Sequence, residues 1–346
     1  MKNLRRLILL TLAFLPAACA SSPPTETPAI GTPTPGGWTA PGEVDDRAPS
    51  NDPGWWKTFG DGGLDTAIEE CLGNNHDLRI AAVRVDRAEA QAISSGADRL
   101  PVLRLQADGA KSQRNFIGLP IPGVNGIPRS RFSNYGAALN LSWELDIWGR
   151  LRSAKAASLA DQEAVLADLY GARLSLVGQT CKAWFAALEA TRQEELAAAT
   201  VENYQASEKQ VRERYERGLR SPLDLRLARA NLATAEDNLE STRIRKDGAL
   251  RQLEILLGRY PAAALEAATA LPQIPGEVPA GLPSELLARR PDMLSLERRL
   301  AGQRARLRQA KVSLLPRISL SSSTGTSTNE LRDIVNQDFS VWSLAA

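Results

Sequence analysis

The 346-residue sequence predicts a mainly α-helical fold with a small β part. Segments 102–111 and 134–146 alternate apolar and polar residues, which is typical of strands with one apolar and one polar face. Over 150–257, apolar residues recur every three or four positions, the spacing of long coiled-coil helices. An internal repeat supports this assignment, because a helix, a proline and a strand follow one another twice.

The two alternating segments are predicted to form a hairpin of strands. In 134–146, the apolar residues occupy odd positions from Tyr135 to Leu145, and polar residues lie between them. Residues 112–133 are rich in Gly, Pro and Asn, which predicts an exposed loop joining the strands. The alternation fits a transmembrane barrel strand, with lipid on one side and water on the other. A half-buried strand of a soluble sheet gives the same pattern.

A long antiparallel helical hairpin is predicted after the second strand. Its first helix should run from about residue 150 to 217, which at 1.5 Å per residue is roughly 100 Å. The chain then turns, with Gly218 as C-cap, Ser221 as N-cap and Pro222 as the first residue of a helix that ends near 257.

The repeat relates the first half of the chain to its end. A shift of 215 positions aligns Leu100 and Pro101 with Leu315 and Pro316, together with the helices before them. We therefore divide the chain into a first repeat at 55–260, a linker at 261–283 and an incomplete second repeat at 284–346. A second copy as long as the first would need roughly 110 further residues, holding most of a fourth strand and a second hairpin.

The N-terminus carries an export signal. Basic residues precede a short apolar run, which predicts a signal peptide at 1–18. The run ends Leu15-Pro-Ala-Ala-Cys19, which resembles a bacterial lipobox, although the leucine lies one position too early. This predicts lipidation of Cys19, and ordinary cleavage after small residues is the alternative. Residues 19–54, rich in proline, would form a tether to the outer-membrane lipid.

Composition and residue usage argue against several functions. The 42 basic and 40 acidic side chains leave no nucleic-acid footprint. Cys71 and Cys181 are expected to be buried free thiols, with a disulfide as the alternative. With His76 as the sole histidine, and no Gly-rich phosphate loop or Cys/His cluster, we expect no metal, no cofactor and no enzymatic activity.

At the level of motifs, the chain resembles the outer membrane efflux proteins of the TolC and OprM type, most closely their lipoprotein branch. Six motifs occur in the family's order between about residues 55 and 342. They are Trp55-Trp-Lys-Thr-Phe-Gly-Asp61, Leu100-Pro101, Trp143-Glu-Leu-Asp-Ile-Trp-Gly-Arg150, Tyr215-Glu-Arg-Gly218 to Asp224, Leu256-Leu-Gly258 and Leu286-Leu-Ala-Arg-Arg-Pro-Asp292.

The resemblance implies a homotrimer in which each subunit gives four strands to one twelve-stranded transmembrane barrel. The helices would form a tunnel through the periplasm. It further implies a passive exit duct for small molecules such as drugs, working with a periplasmic membrane-fusion adaptor protein and an inner-membrane RND-type pump. The protein would then lie in the bacterial outer membrane, anchored by lipid.

The resemblance also assigns individual residues. The tip of the hairpin, Gly218, Leu219 and Ser221, would contact the adaptor, and Asp224 would lie at the periplasmic gate. Helix capping alone is the simpler interpretation of these tip residues, and Asp224 could be only a first-turn acid. The polar faces of the strands would line the barrel lumen; they comprise Arg104, Gln106, Asp108, Asn140, Ser142 and Glu144.

Three other hypotheses remain at this point. A lipid-anchored periplasmic coiled-coil adaptor or scaffold would explain the helices and Cys19, but not the alternating strands. A truncated, non-functional remnant of an efflux duct would fit the early end of the second repeat. A hydrolase would need paired carboxylates, but Glu144 and Asp146 are predicted to lie on one face of a strand.

Overall fold

The computed structural model describes residues 54–117, 129–265 and 289–346, together with residues 127, 271, 272 and 287. The predicted signal peptide, Cys19 and the proline-rich tether lie outside the described residues, as does most of the predicted linker. The order of the elements, with the labels used below, is a 3-10 helix Trp55–Phe59, α1 Gly62–Asn74, α2 His76–Ala97, β1 Val102–Asn115, β2 Arg129–Leu145, α3 Arg150–Glu216, α4 Pro222–Leu256, α5 Pro291–Val312, β3 Ile318–Thr328 and β4 Ser340–Ala345.

The chain is mainly helical with one small antiparallel sheet, as the sequence predicts. The four strands follow one another in the order β1-β2-β3-β4, and every neighbouring pair is antiparallel. Both copies of the helix-proline-strand unit are present, since α2 leads through Pro101 into β1 and α5 leads through Pro316 into β3. The pairing of β2 with β3 joins the two copies.

The strands of the first hairpin are longer than predicted. The predicted end at 111 is wrong, because β1 continues to Asn115, and β2 begins at Arg129 rather than 134. The predicted loop at 112–133 is therefore strand at both of its ends. These outer ends of the two strands carry polar residues on both faces of the sheet. For example, Arg131 Nε donates a hydrogen bond to Gln113 Oε1 at 2.7 Å. Cross-strand pairing, rather than alternation, maintains them.

Helix α3 is the longest described helix and packs against the four other described α-helices. Its 67 residues correspond to roughly 100 Å. The first third lies between α2 and α5, with Ser158 bonded to Ser95, and the remainder pairs with α4. Within the described part of the chain, no helix is both long enough and apolar enough to cross a membrane.

The main hydrophobic core lies midway along α3, where α1, α4 and the 3-10 helix pack against it. Leu64, Ile68 and Leu253 are fully buried there. Asp61 caps α1 and also accepts a 2.8 Å hydrogen bond from Trp184 Nε1 of α3. The expectation of buried free thiols is correct, because Cys71 and Cys181 are both buried and unpaired.

The end of α4 is locked to the corner between α1 and α2. Asn75 donates to the carbonyl of Leu256 at 3.0 Å, and Arg259 forms a bidentate ion pair with Glu70. The buried carboxylate of Glu254 accepts hydrogen bonds from three backbone N–H groups of residues 263–265. Burial alone would raise the pKa of Glu254, but these N–H groups outweigh it and hold the pKa below its ordinary value.

Candidate functional site

The sheet has one polar face that contains all six predicted lumen residues. Directly opposed residues of antiparallel strands lie on the same face. Arg104 is opposite Asn140, which is opposite Ser323, and Val102 is opposite Ser142. Gln106 and Asp108 continue the face along β1. Together they form one polar surface of the sheet.

The opposite face of the sheet is apolar and exposed. Leu105 lies opposite Leu139 in one row that ends at Trp342 of β4, and Leu103 lies opposite Leu141 in the next. Leu105 and Trp342 are each 80% exposed. Large apolar residues left contiguous on a surface mark contact with another protein or with lipid.

Glu144 connects the polar face of the sheet to α3. Its carboxylate receives two hydrogen bonds from the Arg150 guanidinium, from Nε at 3.0 Å and from Nη2 at 2.8 Å. This bidentate geometry fixes the angle between β2 and the helix. The hydrogen bond to Glu144 raises the pKa of Arg150 further, so this guanidinium stays charged at all physiological pH values. Glu144 thus lies on the predicted face, but its carboxylate is held by Arg150.

Asp146 caps α3 from outside the helix. Gly149 occupies the N-cap position with φ +80° and contributes no side-chain bond. Asp146 instead accepts from the N–H groups of Leu151 at 2.9 Å and Arg152 at 2.8 Å. Burial raises the pKa of Asp146, but these N–H donors and the Arg152 guanidinium have the larger combined effect and lower it. The prediction that Asp146 lies in the second strand is wrong, because β2 ends at Leu145. Its capping role has no local signal, because Asp146 lies three residues before the N-cap.

Two tryptophans attach the end of β2 and the turn after it to the segments that lead into β1 and β3. Trp143 donates from Nε1 to the carbonyl of Arg99 at 3.0 Å, just before β1. Trp148 donates to the carbonyl of Pro316 at 2.9 Å, just before β3. The motif Trp143–Arg150 therefore serves as the joint between the sheet and the helices, which explains why its polar residues are so closely spaced.

Replacing Asp146 with alanine should lower the free energy of unfolding by about 1–2 kcal/mol at pH 7, the usual effect of removing a helix cap. Because the folded-state pKa of Asp146 is lowered, its contribution is present above the unfolded pKa of about 3.9 and disappears as the pH falls through the folded value. Urea unfolding in detergent at pH 7 and at acidic pH measures this difference. Asp146→Asn, which retains one acceptor, is the control, and equal stability of wild type and Asp146→Ala at pH 7 would disprove the capping role.

The tip of the hairpin is built from two capping motifs. Gly218 has φ +75°, its N–H donates to Tyr215 O, and the N–H of Leu219 donates to Arg214 O, which is a Schellman motif. Ser221 and Asp224 then form a capping box at the start of α4. The structure thus contains the capping roles predicted for Gly218 and Ser221. Leu219 is 71% exposed at the tip.

Asp224 is held in place by its own helix start. The Asp224 carboxylate accepts from the backbone N–H of Ser221 at 3.1 Å and lies 4.0 Å from the Arg220 guanidinium. The Ser221 hydrogen bonds, with Arg220, lower the pKa of Asp224 below its ordinary value. The carboxylate is therefore charged and points from an exposed helix end.

A set of acidic residues on α3 was not predicted. Asp161 and Asp168 follow Arg150 at helical spacing and pair with Arg306 and Arg299 of α5. The sequence does contain two acids seven residues apart in α3 and a basic helix α5. Their pairing can be recognised only once the two helices are known to be neighbours. In the described residues there is no group of three or more His, Cys, Asp or Glu side chains that could hold a metal ion.

Comparison with known proteins agrees with this architecture. Residues 67–259 match the family model described as outer membrane efflux protein. The chain is 32% identical over 342 residues to the pyoverdine export outer membrane protein OpmQ of Pseudomonas putida, covering 97% of this chain and 71% of that protein. It is 29% identical to the cation efflux system protein CusC of Escherichia coli, with the same two coverages.

Solved structures give the same result. The outer-membrane channel OprN superposes with a TM-score of 0.73 at 30% identity, covering 91% of this chain and 71% of that one. The Campylobacter jejuni CmeC outer membrane channel superposes with a TM-score of 0.79 at 25% identity, covering 90% and 65%. The chain belongs to the outer membrane efflux protein family.

Proposed function

We propose that this chain is one subunit of a passive exit duct that carries small molecules out through the outer membrane. One observation carries the proposal: a sheet with a polar and an exposed apolar face is joined rigidly, through Glu144 and Arg150, to a helical hairpin of 67 and 35 residues. The family consists of channel proteins rather than enzymes, so the driving force must come from elsewhere.

The duct would be a homotrimer. In the described sheet, β1 and β4 each have one edge without a neighbouring strand. Unpaired strand edges cannot persist in lipid, because each free N–H and C=O group there costs several kcal/mol. Closure by other subunits would give a barrel with the polar face of the strands inside and Leu105 and Trp342 against lipid.

The proposed partners are a periplasmic membrane-fusion adaptor and an inner-membrane RND-type pump. Relatives carry names for pyoverdine export, cation efflux and toluene efflux, so related ducts serve chemically different cargoes. We assign cargo choice to the pump, since a wide polar conduit selects little. Lipidation of Cys19, a tether at 19–54 and a second repeat beginning near 284 complete the proposed organisation.

Loss of export after gene deletion tests the proposed function. Deletion in the native host should raise intracellular accumulation of a panel of dyes, solvents and metal salts, and the full-length gene should restore export. Unchanged accumulation of every compound, with the protein present in the outer membrane of the parent strain, would contradict the duct.

The polar face can be tested by ion selectivity. Arg104→Gln in the full-length protein, reconstituted in a planar bilayer, should shift the reversal potential toward cation preference, because a positive charge leaves the lumen. Arg131→Gln is the matched control, since Arg131 lies on the opposite face beyond the apolar rows. Equal shifts in both variants would contradict the assignment of the faces.

The tip is proposed to contact the adaptor through Gly218, Leu219 and Ser221, with Asp224 at the gate. Gly218→Val should weaken adaptor docking, because a β-branched residue at φ +75° is strained and displaces the exposed Leu219. Site-specific crosslinking to the adaptor measures the loss, which we expect to be several-fold. Gly218→Asn, which tolerates positive φ, should retain docking. Normal crosslinking and export in Gly218→Val would refute the tip assignment.

A further inference from the structure

We propose that Arg152, Arg304 and Arg308 form a binding site for the phosphate headgroup of an anionic phospholipid in the periplasmic leaflet of the outer membrane. The three arginines line one groove between the first turns of α3 and the last turns of α5. Gly149 at the N-cap of α3 and the small residues Ser153 and Ala156 of α3 line the same groove. The proposal rests on the orientation of the duct given above.

Two of these arginines have no acidic partner among the described residues. On the same helix, Arg298, Arg299 and Arg306 all pair with carboxylates of α3. Arg304 and Arg308, in contrast, are exposed, and neither forms an ion pair with any residue that the structure describes. Like charges four residues apart destabilise a helix, so this arrangement suits an external anion.

Arg152 adds a third positive charge at the groove. Its side chain is 59% exposed, and its Nε lies 3.4 Å from the Asp146 carboxylate. The Asp146 carboxylate accepts from the backbone N–H groups that start α3, so it neutralises only part of the local charge. Three guanidinium groups and one carboxylate leave a net charge of about +2 at the groove. The paired N–H donors of each guanidinium match the oxygens of a phosphate, so this site favours a phosphate group.

The groove lies on the outside of the tunnel. Arg150 is tied to Glu144 on the polar face of the sheet, which is the proposed lumen side. Arg152 is two residues further along α3 and is therefore rotated by about 200° from Arg150. Asp161 and Asp168, which pair with α5, follow Arg150 by eleven and eighteen residues and so lie on its side of α3. The exposed Leu159 and Leu166 follow Arg152 at seven-residue spacing and mark the other, outer side.

The end of the groove nearest the sheet lies at the level of the headgroup layer. Arg152 lies in the first turn after the strand end, and Arg308 lies four residues before the end of α5, about 6 Å along the helix axis. Arg304 lies one turn further from the sheet, about 12 Å from that helix end. The polar headgroup region extends about 5–8 Å beyond the hydrocarbon on each side. Leu100 and Leu314, 63% and 88% exposed at the ends of the flanking helices, lead from this level to the apolar face of the strands. Acyl chains would follow that surface.

Binding of tail-labelled phosphatidylglycerol and phosphatidylcholine to the full-length protein in neutral detergent tests the site. We expect the wild type to prefer phosphatidylglycerol, and Arg304→Gln with Arg308→Gln to weaken that binding at least tenfold, since each basic residue near an anionic lipid surface contributes appreciably. Phosphatidylcholine binding should stay unchanged. Arg79→Gln with Arg251→Gln, an equal loss of charge at exposed sites on α2 and α4, should leave both affinities unchanged.

Three outcomes would overturn the proposal. They are equal binding of the two lipids by the wild type, an equal loss in the control pair, and displacement of phosphatidylglycerol by millimolar inorganic phosphate at constant ionic strength, which would indicate a free-anion site. Efflux is scored separately in the same variants. Lipid preference without efflux would contradict only the duct, and efflux without lipid preference would contradict only the headgroup site.

Discussion

A valine in place of Gly325 is expected to stop the four-stranded sheet from assembling. Gly325 lies in β3 opposite Ala138, at the seam where the two repeats pair. A Cβ at this position would overlap the carbonyl oxygen of Ala137 and would lie 2.6 Å from the Cα of Ala138. Both obstacles are backbone atoms, so no side-chain rotation relieves the contact.

The cost should reach about 3 kcal/mol, the upper range for overpacking, and the strands must separate to accommodate the side chain. Separation removes ladder hydrogen bonds that lipid cannot replace. We expect the outer-membrane fraction of heat-sensitive trimer, measured on unheated gels, to fall below a tenth of the wild-type amount.

Thr324→Val is the matched control for Gly325→Val. Thr324 precedes Gly325 and lies on the apolar face between Leu139 and Trp342, so a similar-sized apolar residue fits there. It should assemble as well as the wild type. Normal trimer in Gly325→Val would mean that β2 and β3 do not pair in the assembled barrel as they do in this chain.

The helical part of the fold was predictable because its ends carry local chemical signals. Gly218, Ser221 and Pro222 each satisfy or remove a backbone group at a helix end, so the predicted limits of α3 and α4 differ from the structure by one residue. The repeat was predictable because both copies retain the proline between helix and strand. Neither inference required knowledge of which elements are neighbours.

Features that depend on distant neighbours could not be read from the sequence. The outer ends of β1 and β2 have no alternation, and only their pairing makes them strands. Asp61 and Trp184 are 123 residues apart, and their hydrogen bond has no local signal. Glu144 could be placed on the polar face because it occupies an even position in the alternating segment. Its hydrogen bond with Arg150 could not be predicted, because it depends on how the chain bends between strand and helix.

A second large effect is expected at Gly258, where α4 ends against the corner between α1 and α2. Gly258 has φ +76° and closes a Schellman motif, in which the N–H of Arg259 donates to Glu254 O at 2.8 Å. A Cβ here would lie 2.7 Å from the carbonyl oxygen of Asn74. Alanine at this position therefore meets both backbone strain and a backbone contact.

Gly218→Ala separates these two contributions. Gly218 closes the same motif at φ +75°, but nothing lies within 4 Å of its Cβ position. Strain alone should reduce the free energy of unfolding by about 1–2 kcal/mol in Gly218→Ala. Gly258→Ala should lose about 3–4 kcal/mol, because overpacking adds about 1–3 kcal/mol when the backbone must move.

Urea unfolding followed by tryptophan fluorescence measures the difference in stability between Gly258→Ala and Gly218→Ala. Trp184 is 4% exposed in the core beside α1, so separation of α1 from α3 contributes to the change in the summed emission of the seven tryptophans. Displacing Asn74 also pulls on Asn75, whose side chain binds Leu256, and on the Glu70–Arg259 ion pair. Equal destabilisation by the two alanines would mean that the corner yields freely, and that contacts between α1 and α4 do not hold the hairpin in place.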